Sequence, residues 1–212
     1  GAYTVGFMVK YFGVQELLIV LPLGALTGFI MAALVGLIMA RYREVFFAML
    51  NLAFSMMLFG ALLKFYRVTN GTDGLPIGTP TLLGFEIDSD SLSFYYFSLV
   101  IVAIVAYVIH RFMASPNGFY LRALHDNEIR IEYSGVSVRQ VVYRTYILAG
   151  TLGGVSGVLA AFTIGHIVPE DAFWIQSGQF VFVALLGGFG GLAGPLMGSF
   201  VFEFMETYSS KY

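Results

Sequence analysis

Long apolar segments alternate with short polar stretches along almost the whole chain. Five segments lack Asp, Glu, Lys and Arg: residues 17–40, 45–63, 91–109, 145–169 and 172–202. An α-helix crosses a bilayer with about 20 apolar residues, whereas barrel strands alternate apolar and polar positions over roughly ten. Continuous runs of this length predict an all-α integral membrane protein, a polytopic helical bundle rather than a barrel.

The last apolar segment is too long for one simple span. It contains the stretch GGFGGLAGP at residues 187–195, and Gly and Pro favour a break in a helix. A broken helix at membrane depth is tolerated only where protein or a cavity covers its backbone. We therefore expect two half-helices, and we interpret Gly187, Gly188, Gly191 and Pro195 as part of a translocation path.

Glycines four residues apart recur in the last two apolar segments, as in Gly150–Gly154, Gly153–Gly157 and Gly187–Gly191. This spacing lets helix backbones approach closely in lipid. Plain helix packing is the favoured explanation at 150–157. Packing is also the simpler explanation at 187–195, but the proline beside the glycine pairs makes a tight seam beside a pathway more plausible there than at 150–157.

Polar side chains inside the spans are few, and Asn51 and Ser55 lie one helical turn apart. They therefore share a helix face. One interpretation is hydrogen bonding between helices. The other is the polar lining of a translocation path, because polar groups within spans are often functional.

Composition supports the membrane assignment. The chain has 212 residues, of which 58% are hydrophobic and 11% charged, whereas soluble domains carry roughly 25% charged residues. The formal net charge is −2, and no basic tract indicates nucleic-acid binding. The absence of Cys excludes disulfides, a thiol nucleophile and Cys-ligated zinc.

Sequence motifs for chemistry are also absent. No Gly-x-x-x-x-Gly-Lys-Ser/Thr loop occurs, so we expect no ATP binding by this chain. His110, His125 and His166 are far apart, and no HExxH pattern predicts a metal site. We expect no catalytic residue, metal or cofactor on this chain.

The distribution of Lys and Arg predicts the orientation of the spans. If the charged stretch at 115–136 is cytoplasmic, Lys10, Lys64 and Arg67 lie outside, and the remaining basic residues lie inside: Arg41, Arg43, Arg111, Arg122, Arg130, Arg139, Arg144 and Lys211. This excess follows the positive-inside rule. The loop at 68–91 is then external.

Residues 115–136, here named the charged segment, form a polar interruption between two apolar runs. Ser115 and Pro116 resemble an N-cap followed by Pro at the first helical position. Asp126 and Arg130 have the i, i+4 spacing of a helical ion pair, and Gly135 is a suitable helix stop. The pattern predicts a short amphipathic helix outside the membrane. Its mixed charge suits a protein partner better than lipid headgroups.

Several stretches resemble, in chain order, the permease subunits of ABC importers for branched-chain amino acids, in particular the M-type permease. They are GAYTVGFM at 1–8, RYREVFFAMLNLAFSMM at 41–57, TNGTDGLPIG at 69–78, SPNGFYLRALHDNEIRIEYSGVSV at 115–138 and SGQFVFVALLGGFGGLAGPLMGS at 177–199. The family's first spans, which precede GAYTVGFM, are missing. We therefore interpret residues 1–212 as one transmembrane permease domain that is a fragment of a larger one.

The resemblance implies that the charged segment is a coupling helix seated in a groove of an ATPase subunit. By the match, its ATPase-docking residues are Arg122, Ala123, Leu124, Asp126, Asn127, Glu128 and Gly135. The implied partners are a second permease, two ATPase subunits that bind ATP and magnesium, and a periplasmic substrate-binding protein.

The implied function is ATP-driven import of branched-chain amino acids across the bacterial inner membrane, with no enzymatic step on this chain. A related permease for urea or short amides is an alternative. An ion-coupled secondary transporter and a membrane scaffold that transports nothing belong to other classes. An inverted repeat would favour the secondary transporter.

Overall fold

The computed structural model describes residues 1–82, 84–87, 91–126, 128–188, 191 and 193–209. Ten α-helices occur in these ranges: α1 Ala2–Phe7, α2 Leu17–Met39, α3 Glu44–Lys64, α4 Tyr66–Thr69, α5 Leu92–Met113, α6 Pro116–Asp126, α7 Glu128–Tyr133, α8 Val138–Ile164, α9 Trp174–Gly187 and α10 Ala193–Ser209. A π-helical turn, Met8–Phe12, continues α1, and 3₁₀ turns cover Gly71–Asp73 and Pro169–Ala172.

Four short strands lie in the loops on the predicted external side. Strand β1 (Leu75–Pro76) pairs antiparallel with β4 (His166–Ile167), and β2 (Thr81–Leu82) pairs antiparallel with β3 (Phe85–Glu86). The β1–β4 pair ties the loop after α4 to the end of α8. The strand pairs therefore connect the external loops to one another and do not form a separate sheet layer.

The predicted helical membrane architecture is confirmed. Among the described residues, four helices are long and apolar enough to cross a membrane: α2, α3, α5 and α8. Helix α8 begins at Val138, before the predicted apolar run, and its first two turns contain the polar residues Arg139, Gln140 and Arg144. The last apolar segment is divided into α9 and α10, as the glycine-rich break predicted.

Helices α2 and α8 form an antiparallel pair built on small residues. A Cβ on Gly28 would lie 2.5 Å from the Gly150 carbonyl oxygen, and one on Gly154 would overlap the Gly24 carbonyl oxygen. Nearer the start of α8, the Tyr143 hydroxyl donates to the Ala33 carbonyl oxygen of α2 at 3.3 Å. Close backbone contact is the packing that lipid-embedded helices favour.

The buried core lies at the external end of this pair. Helices α1, α2 and α8 contribute its fully buried centre, including Val5, Leu17 and Phe162, and the paired strands cover it with Ile77 and Ile167. Phe94 seals the start of α5 against the same cluster. Most other large apolar side chains on α3, α5, α9 and α10 are exposed, as expected of helices that face lipid or further protein.

Helices α9 and α10 form an antiparallel hairpin. A Cβ on Gly198 would lie 2.8 Å from the Gly187 amide nitrogen and would overlap the Val183 carbonyl oxygen. The chain therefore returns along α10 toward the side where α9 begins. The predicted position of Lys211, on the side of the charged segment, lies outside the described residues.

Candidate functional site

The charged segment is helical outside the long spans, as its sequence pattern predicted. Pro116 opens α6 and Gly135, at φ +80°, follows the end of α7. That left-handed backbone suits glycine and stops the helix. The Ser115 hydroxyl donates backward to the Phe112 carbonyl oxygen at 2.6 Å, and the Ser115 carbonyl oxygen accepts from the Phe119 amide at 3.1 Å.

The predicted docking residues differ in how they are placed. Arg122 is exposed, whereas Ala123 and Leu124 are half-buried on α6. Gly135 has no atom near its missing Cβ and is exposed. Asn127 lies outside the described residues, and so do the side chains of Asp126 and of its predicted partner Arg130.

Glu128, at the start of α7, is held by the turn between α2 and α3. Its Oε1 lies 2.5 Å from Arg43 Nε in an ion pair that is partly exposed on both sides. The Arg43 Nη1 also donates to the Ala40 carbonyl oxygen at 2.8 Å and to that of Tyr42 at 3.1 Å. The charged segment is therefore tied to the α2–α3 turn through one guanidinium.

A second tie joins the charged segment to α8. Arg144 Nη1 donates to Asn117 Oδ1 at 3.3 Å, and Ile131 on α7 is buried. The segment is thus docked on two sides, against the α2–α3 turn and against the first turns of α8. Its exposed residues, such as Arg122, remain free to meet another surface.

A cavity of about 580 Å³ opens between α5 and the α9–α10 hairpin. Its walls are mainly apolar, and the Arg122 guanidinium and the His110 imidazole add polar groups to them. Three of the predicted path residues, Gly188, Gly191 and Pro195, line it. The remaining lining residues are Val102, Val105, Ala106, Ile109, Met113, Ala184 and Leu196.

The glycines of the predicted path have two distinct structural roles. Gly187 makes the close approach, since a Cβ there would overlap the Gly194 carbonyl group. Gly188 and Gly191 have φ of +79° and +123°, and no atom of the part of the chain that the structure describes lies near their missing Cβ. The spacing argument for close approach at Gly191 is therefore wrong. Gly191 is needed for its backbone conformation.

Asn51 and Ser55 are half-buried, and both bridge elements. Asn51 Oδ1 accepts from the Tyr146 hydroxyl at 2.9 Å, which links α3 to α8. Ser55 Oγ donates to the Ala172 carbonyl oxygen at 3.1 Å, which holds the Pro169–Ala172 turn against the middle of α3. The structure supports the interhelical hydrogen-bond interpretation for Asn51 and places Ser55 in a bond to a loop turn, and neither residue lines the cavity.

The external loop after α4 is held by hydrogen bonds within the loop and to the end of α3. Asn70, Gly71 and Gly74 have positive φ, and the Thr69 hydroxyl donates to the Leu62 carbonyl oxygen at 2.6 Å. The Tyr66 hydroxyl donates to Asp73 Oδ2 at 2.9 Å, and this hydrogen bond together with the Asp73 charge raises the pKa of Tyr66. The loop therefore keeps a fixed shape at the external surface.

Sequence reasoning missed Arg43 and Tyr146 as partners and missed the α5 wall of the cavity. Arg43 carried a usable signal, because it lies in a basic turn on the same predicted side as the mixed-charge segment. The α5 residues carried none, since apolar residues of a span look alike in sequence. Within the described residues, no group of three His, Asp or Glu side chains is placed to hold a metal ion.

Comparison with curated proteins shows relatives along almost the whole chain. The chain is 27% identical over 213 residues to LivM, the permease protein of the high-affinity branched-chain amino acid transport system of Escherichia coli K12, covering 90% of this chain and 50% of that protein. It is 23% identical over 202 residues to a probable LivM of Methanocaldococcus jannaschii, covering 94% and 58% respectively. The chain thus spans about half the length of the curated relatives it matches.

A shorter match relates the chain to a nucleoside system. It is 34% identical over 92 residues to NupP, the guanosine ABC transporter permease of Bacillus subtilis, covering 42% of this chain and 26% of that protein. No solved structure matches the chain significantly.

The family comparison covers the chain from end to end. The model described as "Branched-chain amino acid transport system / permease component" matches residues 1–212. The chain therefore belongs to this permease family, whose members are transport components of the inner (plasma) membrane and not enzymes.

Proposed function

We propose that the chain forms part of the permease subunit of an ATP-driven ABC importer for branched-chain amino acids. The observation that carries the proposal is the charged segment, a helical pair held outside the spans with Arg122 exposed for a partner. Such a segment passes movement of an ATPase to the spans. This chain performs no covalent step, and ATP with magnesium binds to the partner subunits.

The complete importer contains a second related permease, two ATPase subunits and a periplasmic substrate-binding protein. Substrate crosses between the two permeases. The cavity beside α5 is the part of that path contributed by this chain, with Gly188, Gly191 and Pro195 at its wall. The apolar helix faces that this chain leaves exposed suit lipid and the neighbouring permease.

Branched-chain amino acids are favoured as substrates over nucleosides by the extent of the matches. The LivM relative aligns with 90% of the chain, whereas the guanosine permease aligns with 42%. A nucleoside is the second candidate, because that shorter match is the more identical one. Urea and short amides remain candidates that no relative named above supports.

The test is uptake of labelled leucine into vesicles that hold the full complex with its binding protein. ATP is supplied on the ATPase side or omitted. We expect ATP-dependent uptake that isoleucine and valine inhibit and that guanosine and urea do not. ATP-dependent uptake of guanosine instead would transfer the proposal to nucleosides, whereas uptake indifferent to ATP and driven by an ion gradient would refute the importer.

A further inference from the structure

We propose that the Arg43–Glu128 ion pair is the link through which the charged segment moves α2 and α3, and that Glu128 is a positioning residue and not an ATPase contact. This inference rests on the proposed function, since it assigns a route for the ATPase movement. It revises the sequence-based prediction that Glu128 docks the ATPase directly.

The Arg43 guanidinium is fixed to the end of α2. Its Nη1 donates to the carbonyl oxygens of Ala40 and Tyr42, which follow the last turn of that helix. A cation at this position also interacts favourably with the helix dipole. The Arg43 Nε donates instead to Glu128 Oε1 at 2.5 Å.

The same arginine adjoins the start of α3. Arg43 is the N-cap residue of that helix, with an extended backbone at φ −131° and ψ 163°. When α7 moves, Arg43 therefore transmits the displacement to the end of α2 and to the start of α3. Because α2 packs on α8 through glycines with little room to slide, the α2–α8 pair moves as one unit.

The partial exposure of the ion pair favours a positioning role over a stabilising one. The Arg43 and Glu128 side chains are 29% and 37% exposed, and ion pairs this accessible add little to stability. The three contacts of the Arg43 guanidinium do fix the position of Glu128 relative to the end of α2, because the planar group holds its donors in a rigid arrangement. The Glu128 carboxylate is already engaged, whereas Arg122 is exposed and suits the ATPase contact.

The test compares Arg43→Glu, Glu128→Arg and the exchanged double variant in the full complex. Retention of the ATPase subunits during purification, ATP hydrolysis and ATP-driven leucine uptake are measured together. We expect both single variants to retain the ATPase but to transport roughly tenfold less leucine per ATP, because charge reversal replaces an attraction by a repulsion. The double variant should recover part of the uptake, because it restores the attraction between the two positions but not the Arg43 donations to the Ala40 and Tyr42 carbonyl oxygens.

Arg41→Glu is the matched control. Arg41 lies two residues before Arg43 in the same turn, is exposed, and forms no ion pair with the side chains that the structure describes. The same charge change there should leave uptake per ATP unchanged. If a single variant does not fold, Glu128→Gln keeps the Arg43 contacts to α2 and removes only the charge of the link, and it should show a smaller loss of the same kind.

Three results would overturn the proposal: loss of the ATPase subunits from the Glu128→Arg complex, wild-type uptake per ATP in both single variants, or no recovery in the double variant. Hydrogen exchange at residues 116–133, measured on the full-length permease pair without ATPase, tests the link without transport. Exchange there should be faster in both single variants and intermediate between them and the wild type in the double variant. A wild-type complex that shows no ATP-driven uptake refutes the proposed function, and the exchange result still decides whether the ion pair holds the segment.

Discussion

Gly154 on α8 lies against Gly24 on α2 so closely that a Cβ on Gly154 would overlap the Gly24 carbonyl oxygen. Gly153, the preceding residue, has no neighbouring atom near its missing Cβ. The two adjacent glycines therefore face different surroundings. One belongs to the α2–α8 seam, and the other faces open space.

This contrast gives a matched pair of substitutions. Gly154→Leu should destabilise the chain by about 1–3 kcal/mol or more, because an overpacked side chain forces the helices apart. Gly153→Leu should leave stability within roughly 0.5 kcal/mol, as for a surface substitution. Thermal unfolding of the two purified variants in detergent is the measurement. Equal melting temperatures would show that the seam is not a tight contact.

The sequence predicted the helices well because continuous apolar length is sufficient for that conclusion. It predicted the break between α9 and α10 from GGFGGLAGP and the end of the charged segment from Gly135. Both predictions rest on local backbone preferences, which are properties of the residues themselves.

Contacts between helices could not be predicted in the same way. The four-residue spacing links Gly153 to Gly157 as well as Gly150 to Gly154, yet only the second pair lies in the α2–α8 seam. The matching small residues of α2, among them Gly24 and Gly28, are visible in the sequence only once the partner helix is known. Asn51 likewise bonds to Tyr146, 95 positions away, and spacing along one helix does not identify such a partner.

The Asn51–Tyr146 hydrogen bond provides a test of structural against path-lining roles. Tyr146→Phe should cost roughly 0.6 kcal/mol of stability, the usual size of an interhelical hydrogen bond in a membrane. Asn51→Leu in the Tyr146→Phe background should then cost less than it does alone, because the shared bond is already lost. Unfolding of the two single variants and the double variant in detergent gives the coupling energy.

The transport readout completes that experiment. If Asn51 acts only through the bond, the KM for leucine should be unchanged in the Tyr146→Phe complex and in the Asn51→Leu complex. A KM that rises in Asn51→Leu but not in Tyr146→Phe would show that the amide contacts the substrate, and it would restore the path-lining interpretation.

The external loop supplies a prediction about pH. The Asp73 carboxylate raises the pKa of Tyr66 above the ordinary value of 10.0. A group whose pKa is raised by folding contributes its stabilisation below the unfolded pKa and loses it as the pH rises through the folded pKa. The Tyr66–Asp73 hydrogen bond should therefore hold the loop from neutral pH up to about 10 and be lost in stronger alkali.

A difference titration of tyrosine absorbance near the alkaline end checks this directly. Asp73→Asn should lower the pH at which one tyrosine ionises, because the carboxylate no longer disfavours the phenolate. Adding Tyr66→Phe to that variant should remove the shifted transition. Identical titrations of the wild type and Asp73→Asn would contradict the hydrogen bond.

The cavity between α5 and the α9–α10 hairpin carries the prediction closest to transport. Ala106 lines the cavity, whereas its neighbour Tyr107 lies outside the lining and is 67% exposed. Ala106→Trp should reduce ATP-driven leucine uptake roughly tenfold or more. The indole would fill part of the cavity and block the passage of a small molecule sterically. Tyr107→Trp places the same indole at the next position of the helix, outside the cavity lining, and should leave uptake unaltered.

Purification of the ATPase subunits with each variant separates a blocked path from a failed assembly. Ala106→Trp should retain the ATPase, because the polar contacts that hold the charged segment are made to the α2–α3 turn and to α8 and do not involve Ala106. Loss of uptake with the ATPase retained places substrate in this cavity. Normal uptake in Ala106→Trp would instead mean that the cavity is filled in the complete importer by other protein or lipid, and that substrate crosses along another face.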